Sequence, residues 1–229
     1  MDSHETPLLK DDAALIRSEI VANSAMNRER GIAGANSYTQ DLPFDVLGYL
    51  RERVARQGHA AWLDLCCGSG RALIEAGTAL AGSVEIHGVD LVPLFYPVPA
   101  ALANVRLEAA SLADWEPGRA YDLITCVHGL HYVGDKLGLL TRALSWLAGE
   151  GRFLAHLDPA NLRGADGAPI GPAVLKALRG GGLTYDSRRR LLSGTGRRAL
   201  RLPFRYLGAD DAAGPNYTGQ PAVNSCYSG

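Results

Sequence analysis

The sequence predicts an α/β fold: a doubly wound, mostly parallel seven-stranded sheet with an antiparallel C-terminal hairpin and a helical N-terminal cap. Three observations predict it. Short apolar runs alternate with helix-forming stretches from residue 60 to residue 157, the pattern of successive βαβ units on a parallel sheet. The first run, Trp62-Leu63-Asp64-Leu65-Cys66-Cys67-Gly68-Ser69-Gly70, passes from a buried strand into a tight glycine turn that opens a helix. After the fifth unit, two strand-like segments, 183–192 and 198–207, are joined by Ser193-Gly194-Thr195-Gly196, a hairpin signal.

The elements follow in order. Residues 1–10 read as a loose tail. Leu15, Ile16, Ile20 and Val21 recur at helical spacing within 11–30 and predict an amphipathic helix. Residues 31–40 are small and polar and read as a loop. Asp41 is placed as an N-cap, with Pro43 in the first turn. Phe44, Leu47, Leu50 and Val54 then mark one helix face, and Gly58 ends that helix. Strand one is 60–67, a helix covers 70–80, and strand two is 84–90. The next crossover, 92–103, holds Pro93, Pro97 and Pro99 and cannot be a regular helix. Strand three is 105–112 and strand four 121–127. Asp135 caps a helix with Leu140, Ala143, Leu144 and Leu147 on one face. Gly149 and Gly151 flank the turn into strand five, 153–157. A short helix over 169–179 stops at Gly180-Gly181-Gly182. Beyond the hairpin, the tail from Gly208 is rich in Gly, Asn, Pro and Ser and reads as loop. The chain thus divides into a helical cap (1–58), an α/β core (59–208) and a tail (209–229).

Composition narrows the function. The 229 residues are 47% apolar, enough for one core. A net charge of −1 gives no global attraction to nucleic acid. Charge is uneven, however: eight Arg and only one acid, Asp186, lie between Arg179 and Arg205. Strand alternation would put Arg188 and Arg190 on one face and Arg189 on the other. These arginines are either solvated charge on an exposed hairpin or holders of an acidic acceptor. RNA is disfavoured, because no aromatic residues interleave as a stacking platform requires. Abundant Arg, Ala and Gly with little Lys fit a GC-rich bacterial source. Cys66, Cys67, Cys126 and Cys226 lack metal-ligand spacing and read as reduced thiols of a cytoplasmic protein, with no metal expected. The acidic, polar start is not a signal peptide, and no apolar run approaches the roughly 20 residues of a membrane span.

The glycine turn and the carboxylate of Asp90, which ends strand two, form the arrangement that holds an adenosine-type cofactor. A dinucleotide fingerprint would need a third glycine where Leu73 stands. Asp64 is also unhelpful beside a pyrophosphate and suits a cationic group instead. With the acid–glycine turn 64–70, Asp90, the strand-four segment 121–133 and the closing hairpin, the chain resembles the class I S-adenosylmethionine-dependent methyltransferases over roughly 38–208.

The resemblance implies a Rossmann-like fold, S-adenosylmethionine as cofactor and S-adenosylhomocysteine as product. It implies that Asp64 lies near the cofactor's amino end and that Gly68 and Gly70 let the backbone pass beneath it. Asp90 would accept from the ribose hydroxyls, Leu91 would pack on the adenine, and Ser111 and Leu112 would meet the adenine edge. Val127 and His128 would line the methyl-transfer pocket. Cys66 stands where the family often has its first glycine, so a negative φ is expected there. Ser111 stands where an acid is common. Tyr38 either folds over the site or is a surface-loop tyrosine. Tyr96 stacks on adenine or fills core.

Methyl transfer needs two reactants held in line, and a base only when the acceptor holds its proton tightly. His128 is the first candidate base and His131 the second; the alternative for each is a lining or capping role. The expected acceptor is an oxygen or nitrogen of a small molecule, a bacterial secondary metabolite of the antibiotic kind or a short peptide. Neither nucleic acid nor membrane is expected as partner, and the protein is a monomer or homodimer. The alternatives are a methyltransferase of RNA or peptide using the Arg-rich hairpin, a catalytically silent cofactor-binding subunit, and, least favoured, a nicotinamide enzyme.

Overall fold

Every residue of Ala60–Leu65 is buried, as a strand covered on both faces requires. The computed structural model describes residues 9–21 and 29–229. Among them the strands are β1 (Ala60–Leu65), β2 (Val84–Asp90), β3 (Val105–Ala109), β4 (Tyr121–Cys126), β5 (Leu147–His156), β6 (Leu162–Gly164), β7 (Thr184–Asp186), β8 (Leu191–Thr195), β9 (Arg205–Asp210) and β10 (Asn224–Ser228). The helices are α1 (Asp12–Leu15), α2 (Tyr38–Asp41), α3 (Val46–Gln57), α4 (Arg71–Ala79), α5 (Lys136–Ser145) and α6 (Gly171–Gly180).

Seven strands form the central sheet in the order β3-β2-β1-β4-β5-β8-β7. The first five are parallel, and β8 and β7 close the edge antiparallel, as the sequence predicts. Alternation along β1 sorts its side chains. Ala61, Leu63 and Leu65 join the apolar layer that holds α5 and α6, while Ala60 and Trp62 join the layer of α3 and α4. The crossover between β2 and β3 contains no helix, in line with its three prolines.

Several elements differ from the sequence reading. The expected helix over 11–30 is only the short α1 among the described residues, and 22–28 and the tail 1–8 lie outside them. The loop 31–40 contains the start of α2. Asp41 ends α2, and Asp45 is the N-cap of α3, accepting from the Gly48 N–H at 2.9 Å. An antiparallel hairpin does close the sheet, but it is β7 with β8, where the first strand and the turn were expected, and its turn is 187–190; the expected second strand, 198–207, is not part of it and runs into β9 of the other sheet. Gly194 is therefore a packing residue and not a turn residue: a Cβ there would lie 2.4 Å from Leu183 Cδ2. The arginine run occupies the turn, with Arg190 at φ +51°, so strand alternation does not govern Arg188–Arg190. Asp186 caps this turn by accepting from the N–H groups of Arg188 and Arg189.

The tail is not a loop throughout. β10 lies between β6 and β9 in a second, three-stranded sheet, and Ser225, Cys226 and Tyr227 are buried. Its anchor is Lys136, at 0% exposure. The Lys136 ammonium donates to the carbonyls of Val133 and Val223 and to Ser225 Oγ, each at 2.8 Å. Three donors thus meet three acceptors, which is what makes a buried ammonium tolerable. Burial still pushes its pKa down to about 7. No described helix is long and apolar enough to cross a membrane.

Lys136→Met leaves three buried acceptors without their donor. Its expected cost is about 3 kcal/mol, read as the urea midpoint; an unchanged midpoint would refute the clamp. The sign with pH is also fixed. The folded pKa lies below the unfolded value, so the lysine's contribution to stability rises as pH climbs from about 7 toward 10.5. The methionine variant should lose that rise.

Candidate active site

The sheet order reverses direction between β1 and β4, and such a switch point leaves a crevice beyond the carboxyl ends of the strands. The turn from β1 into α4 shapes its floor. Cys67 N–H donates to the Val89 carbonyl at 3.1 Å, and Gly68 N–H donates to Asp90 Oδ2 at 2.8 Å. Asp90 Oδ1 accepts from the Val92 N–H at 3.1 Å. Gly70 has φ +75°, and a Cβ there would meet Leu107 Cδ1 at 2.4 Å, so only glycine fits.

Leu73 stands where a dinucleotide turn has its third glycine. Room for it is made from the facing strand: a Cβ on Gly88 would lie 2.4 Å from Leu73 Cδ1. Cys66 corrects an expectation, because its φ is +59° and not negative. A left-handed non-glycine residue costs about 1–2 kcal/mol. The pose sends its side chain toward Gly129, where an added Cβ would lie 2.2 Å from Cys66 Cβ.

Two clefts meet over this floor. One spans about 860 Å³, part of it open to solvent, and is lined by Leu91, Ser111, Leu112 and Val133 and by Leu15 and Ile16 around α1. The other spans about 940 Å³, also partly open, and is more polar in its residues: Arg30, Tyr38, Asp41, Gly68, Val127 and His128. Cys66, Asp90 and Tyr132 line both. Sequence-predicted Tyr38, Cys66, Gly68, Asp90, Leu91, Ser111, Leu112, Val127 and His128 therefore come together around one continuous space. Asp64, Gly70 and His131 line neither cleft.

Asp64 lies behind the wall, fully buried. Its Oδ2 accepts from the Tyr38 hydroxyl and its Oδ1 from Thr125 Oγ1, and Thr125 in turn accepts from Trp62 Nε1 at 2.8 Å. Burial raises its pKa to about 7 against the pull of both hydroxyls. It reaches the cleft only through Tyr38.

A histidine cluster closes the far end. His128, just past β4 at φ +58°, stacks on His156 with ring centroids 4.0 Å apart. Its Nδ1 is 3.2 Å from the Tyr217 hydroxyl, and its Nε2 is 3.6 Å from Asp41 Oδ1. Burial opposes ionisation of Asp41, but His128 and Arg30 outweigh it and hold the carboxyl below its usual range. Burial, helped by His128, pushes His156 down to about 3. His131 is 1% exposed, neither ring nitrogen has a hydrogen-bond partner, and burial holds its pKa well below the usual value. It lines neither cleft.

Sequence reasoning missed Arg30, Asp41, Tyr132, Tyr217, Thr218 and Gln220. Arg30 pairs with Asp41, and Tyr132 donates to Gln220 Oε1 at 3.0 Å. The last three sit in the segment read as loop, where no periodicity marks them. Tyr96 neither stacks in the cleft nor fills core; it is exposed and its hydroxyl donates to Glu29. Within the arginine run, Arg190 is the one that reaches the cluster, pairing with Asp158 and covering the Tyr217 ring with its Cζ 4.6 Å from the centroid.

Residues 36–198 match the model of a family described as a methyltransferase domain. No curated protein sequence matches the chain. Among solved structures, it is similar to SAM-bound CalS10, an amino pentose methyltransferase from Micromonospora echinaspora involved in calicheamicin biosynthesis. That likeness has 25% identity over 46% of each chain and TM-score 0.37. The plantazolicin methyltransferase BpumL, with SAH and a desmethyl analogue, shares 15% identity over 48% of this chain and 44% of its own, TM-score 0.39. Haemonchus contortus phosphoethanolamine N-methyltransferase 2, with phosphomonomethylethanolamine and S-adenosylhomocysteine, shares 21% over 52% of this chain and 28% of its own, TM-score 0.39. The match thus spans less than half the length of each of these proteins.

The Asp64 network has a measurable consequence. Its folded pKa exceeds the unfolded 3.8, so its contribution favours the fold at low pH and is lost as pH rises from about 4 through about 7. Asp64→Asn should hold its stability better than the parent across that window. Urea midpoints at pH 5, 6, 7 and 8 check it, and parallel curves would refute it.

Proposed function

Because the chain belongs to this methyltransferase-domain family, we propose that it transfers a methyl group from S-adenosylmethionine to an oxygen or nitrogen of a small molecule. The observation that carries the reading is the Gly68–Asp90 pair at the junction of two clefts. A glycine turn and a strand-end carboxylate face one space, with Leu91, Ser111 and Leu112 on one side and Tyr38, Val127 and His128 on the other. An adenosine fits the apolar side and a charged amino-acid end the polar side. The cofactor, when bound, supplies a methyl group activated by a sulfonium.

Each residue then has a task. Asp90 accepts from the ribose, while its bonds to Gly68 and Val92 fix where it points. Leu91, Ser111 and Leu112 surround the adenine. Tyr38 walls the polar end and is itself held by Asp64. Arg30 and Asp41 give that end both charges. His128 takes the acceptor's proton, and Asp41 beside it offsets the charge gained. Rate enhancement comes chiefly from holding the reactants in line, with the base adding about 10²–10⁴-fold. The acceptor we propose is a secondary metabolite or a short peptide. Of the arginines behind the RNA alternative, Arg190 turns inward on Asp158 and Arg198 donates to the backbone carbonyls of Gly181 and Gly182, while Arg188, Arg189, Arg197, Arg201 and Arg205 are exposed.

Calorimetric titration with S-adenosylhomocysteine, with NADH as control, tests the reading. Micromolar binding of the former alone is expected. Asp90→Ala should abolish it while the chain stays folded by circular dichroism. Two hydrogen bonds to a carboxylate are worth about 3–6 kcal/mol, against about 8 kcal/mol for micromolar affinity. Undiminished binding by Asp90→Ala would sink the assignment.

A further inference from the structure

The nitrogen His128 needs as a base already has a hydroxyl on it. Asp41 is held ionised next to Nε2, which favours the tautomer with the proton on Nε2 and the lone pair on Nδ1. The group at Nδ1 is the phenol of Tyr217, 3.2 Å away. An acidic partner, an imidazole and a hydroxyl in series is the geometry by which a base takes a proton from an oxygen.

The surroundings of that phenol are those of a ring-binding recess. The Arg190 guanidinium covers one side at 4.6 Å from the centroid, within cation–π range, and Asp158 holds that guanidinium in place. The His131 ring meets Tyr217 edge-on, centroids 5.5 Å apart and planes at 75°, a favourable aromatic geometry. Tyr217 comes from the tip of a small hairpin, in which Asn216 N–H donates to the Gln220 carbonyl and Gly219 N–H to the Asn216 carbonyl. The tip is tied to the cleft through Gln220 and Tyr132. Tyr217 is 39% exposed, so its side chain can turn out to solvent without dismantling the core.

We infer that Tyr217 is a resident stand-in for the acceptor, and that the recess between Arg190, His131 and His128 Nδ1 binds an aromatic hydroxyl. This rests on reading the clefts as a methyl-transfer site and narrows its substrate class to phenols. Burial pushes the Tyr217 phenol up to about 12, so a phenol in this recess keeps its proton until a base removes it. The incoming phenol oxygen bonds to the methyl carbon, the electron pair of the broken carbon–sulfur bond stays on sulfur, and the phenol proton passes to His128 Nδ1. Asp41 offsets the imidazolium charge.

The test uses 4-methylphenol, the tyrosine side chain as a free molecule. Calorimetry on the full chain loaded with S-adenosylhomocysteine should show Tyr217→Ala binding 4-methylphenol about tenfold tighter than the parent, whose recess is filled. Toluene should bind more weakly by the value of one hydrogen bond, about tenfold. Adding His128→Leu, which has no acceptor for the phenol hydroxyl, should remove the difference between the two probes. With S-adenosylmethionine, Tyr217→Ala should yield 4-methylanisole by mass spectrometry. Tyr217→Ser is the second truncation should alanine not fold, and S-adenosylhomocysteine affinity equal to the parent's certifies either. Equal affinity of parent and truncation for 4-methylphenol, equal affinity for toluene, or binding without 4-methylanisole would each overturn the proposal. Failure of the parent to bind S-adenosylhomocysteine would instead overturn the methyltransferase reading beneath it.

Discussion

The bond from the Gly68 N–H to the Asp90 carboxylate is the constraint on which the site's geometry depends. It joins the turn after β1 to the end of β2, so the two features legible in the sequence become one surface. To make it, the chain must leave β1 through a left-handed residue, and Cys66 accepts that strain. Everything nearby accommodates the choice. Gly129 lacks a side chain where Cys66 needs space, Gly70 where Leu107 crowds in, and Gly88 where Leu73 presses on the strand. Three glycines on three elements thus answer to one turn. Only Gly70 also reflects a backbone conformation that favours glycine.

This explains what the sequence could and could not reveal. Parallel strands buried on both faces read as apolar runs, and β1 and β4 are legible for that reason. The acid and glycines of the turn sit within a few residues of one another, so spacing exposed them. The errors share a different cause. Gly194 reads as a turn residue because a packing glycine and a turn glycine look alike in one dimension. β10 leaves no signal because its pairing with β6 and β9 involves residues more than sixty positions away on one side, and its flanks are rich in turn formers. Asp41 reads as a cap because of the proline two residues on, whereas Arg30 and His128 claim it here.

Two buried networks support the clefts from behind, and they have opposite electrostatic character. Asp64 is a carboxyl whose burial favours the protonated form, despite two hydroxyl donors. Lys136 is an amine whose burial favours the neutral form, despite three acceptors. Each is a costly group in a low-dielectric interior, and each joins elements distant in sequence: Asp64 ties α2 to β1 and β4, and Lys136 ties α5 to the C-terminal strand. Buried polar groups so satisfied fix one arrangement more than they add stability. Their positions suit that role, because one orients Tyr38 at the polar cleft and the other anchors the chain leading out of the 214–222 hairpin.

On the proposed methyl-transfer reading, the donor and acceptor ends of the site are built in different ways. The adenosine side of the donor end is local: Gly68, Asp90–Leu91 and Ser111–Leu112 lie at or just past strand ends, so the sheet itself places them. The acceptor end is assembled from distant pieces, with Asp41 from α2, His128 after β4, His156 from β5, Arg190 from the hairpin turn and Tyr217 near the C-terminus. None of these has its position dictated by a neighbour in sequence. Such an assembly can change one piece without disturbing the sheet, and acceptor preference can therefore diverge while the donor end stays fixed. By the same logic the region most informative about the substrate is the region least legible in the sequence. Tyr217 shows it most sharply: a tyrosine in a Gly- and Pro-rich tail carries no pattern, yet its hydroxyl lies 3.2 Å from His128 Nδ1.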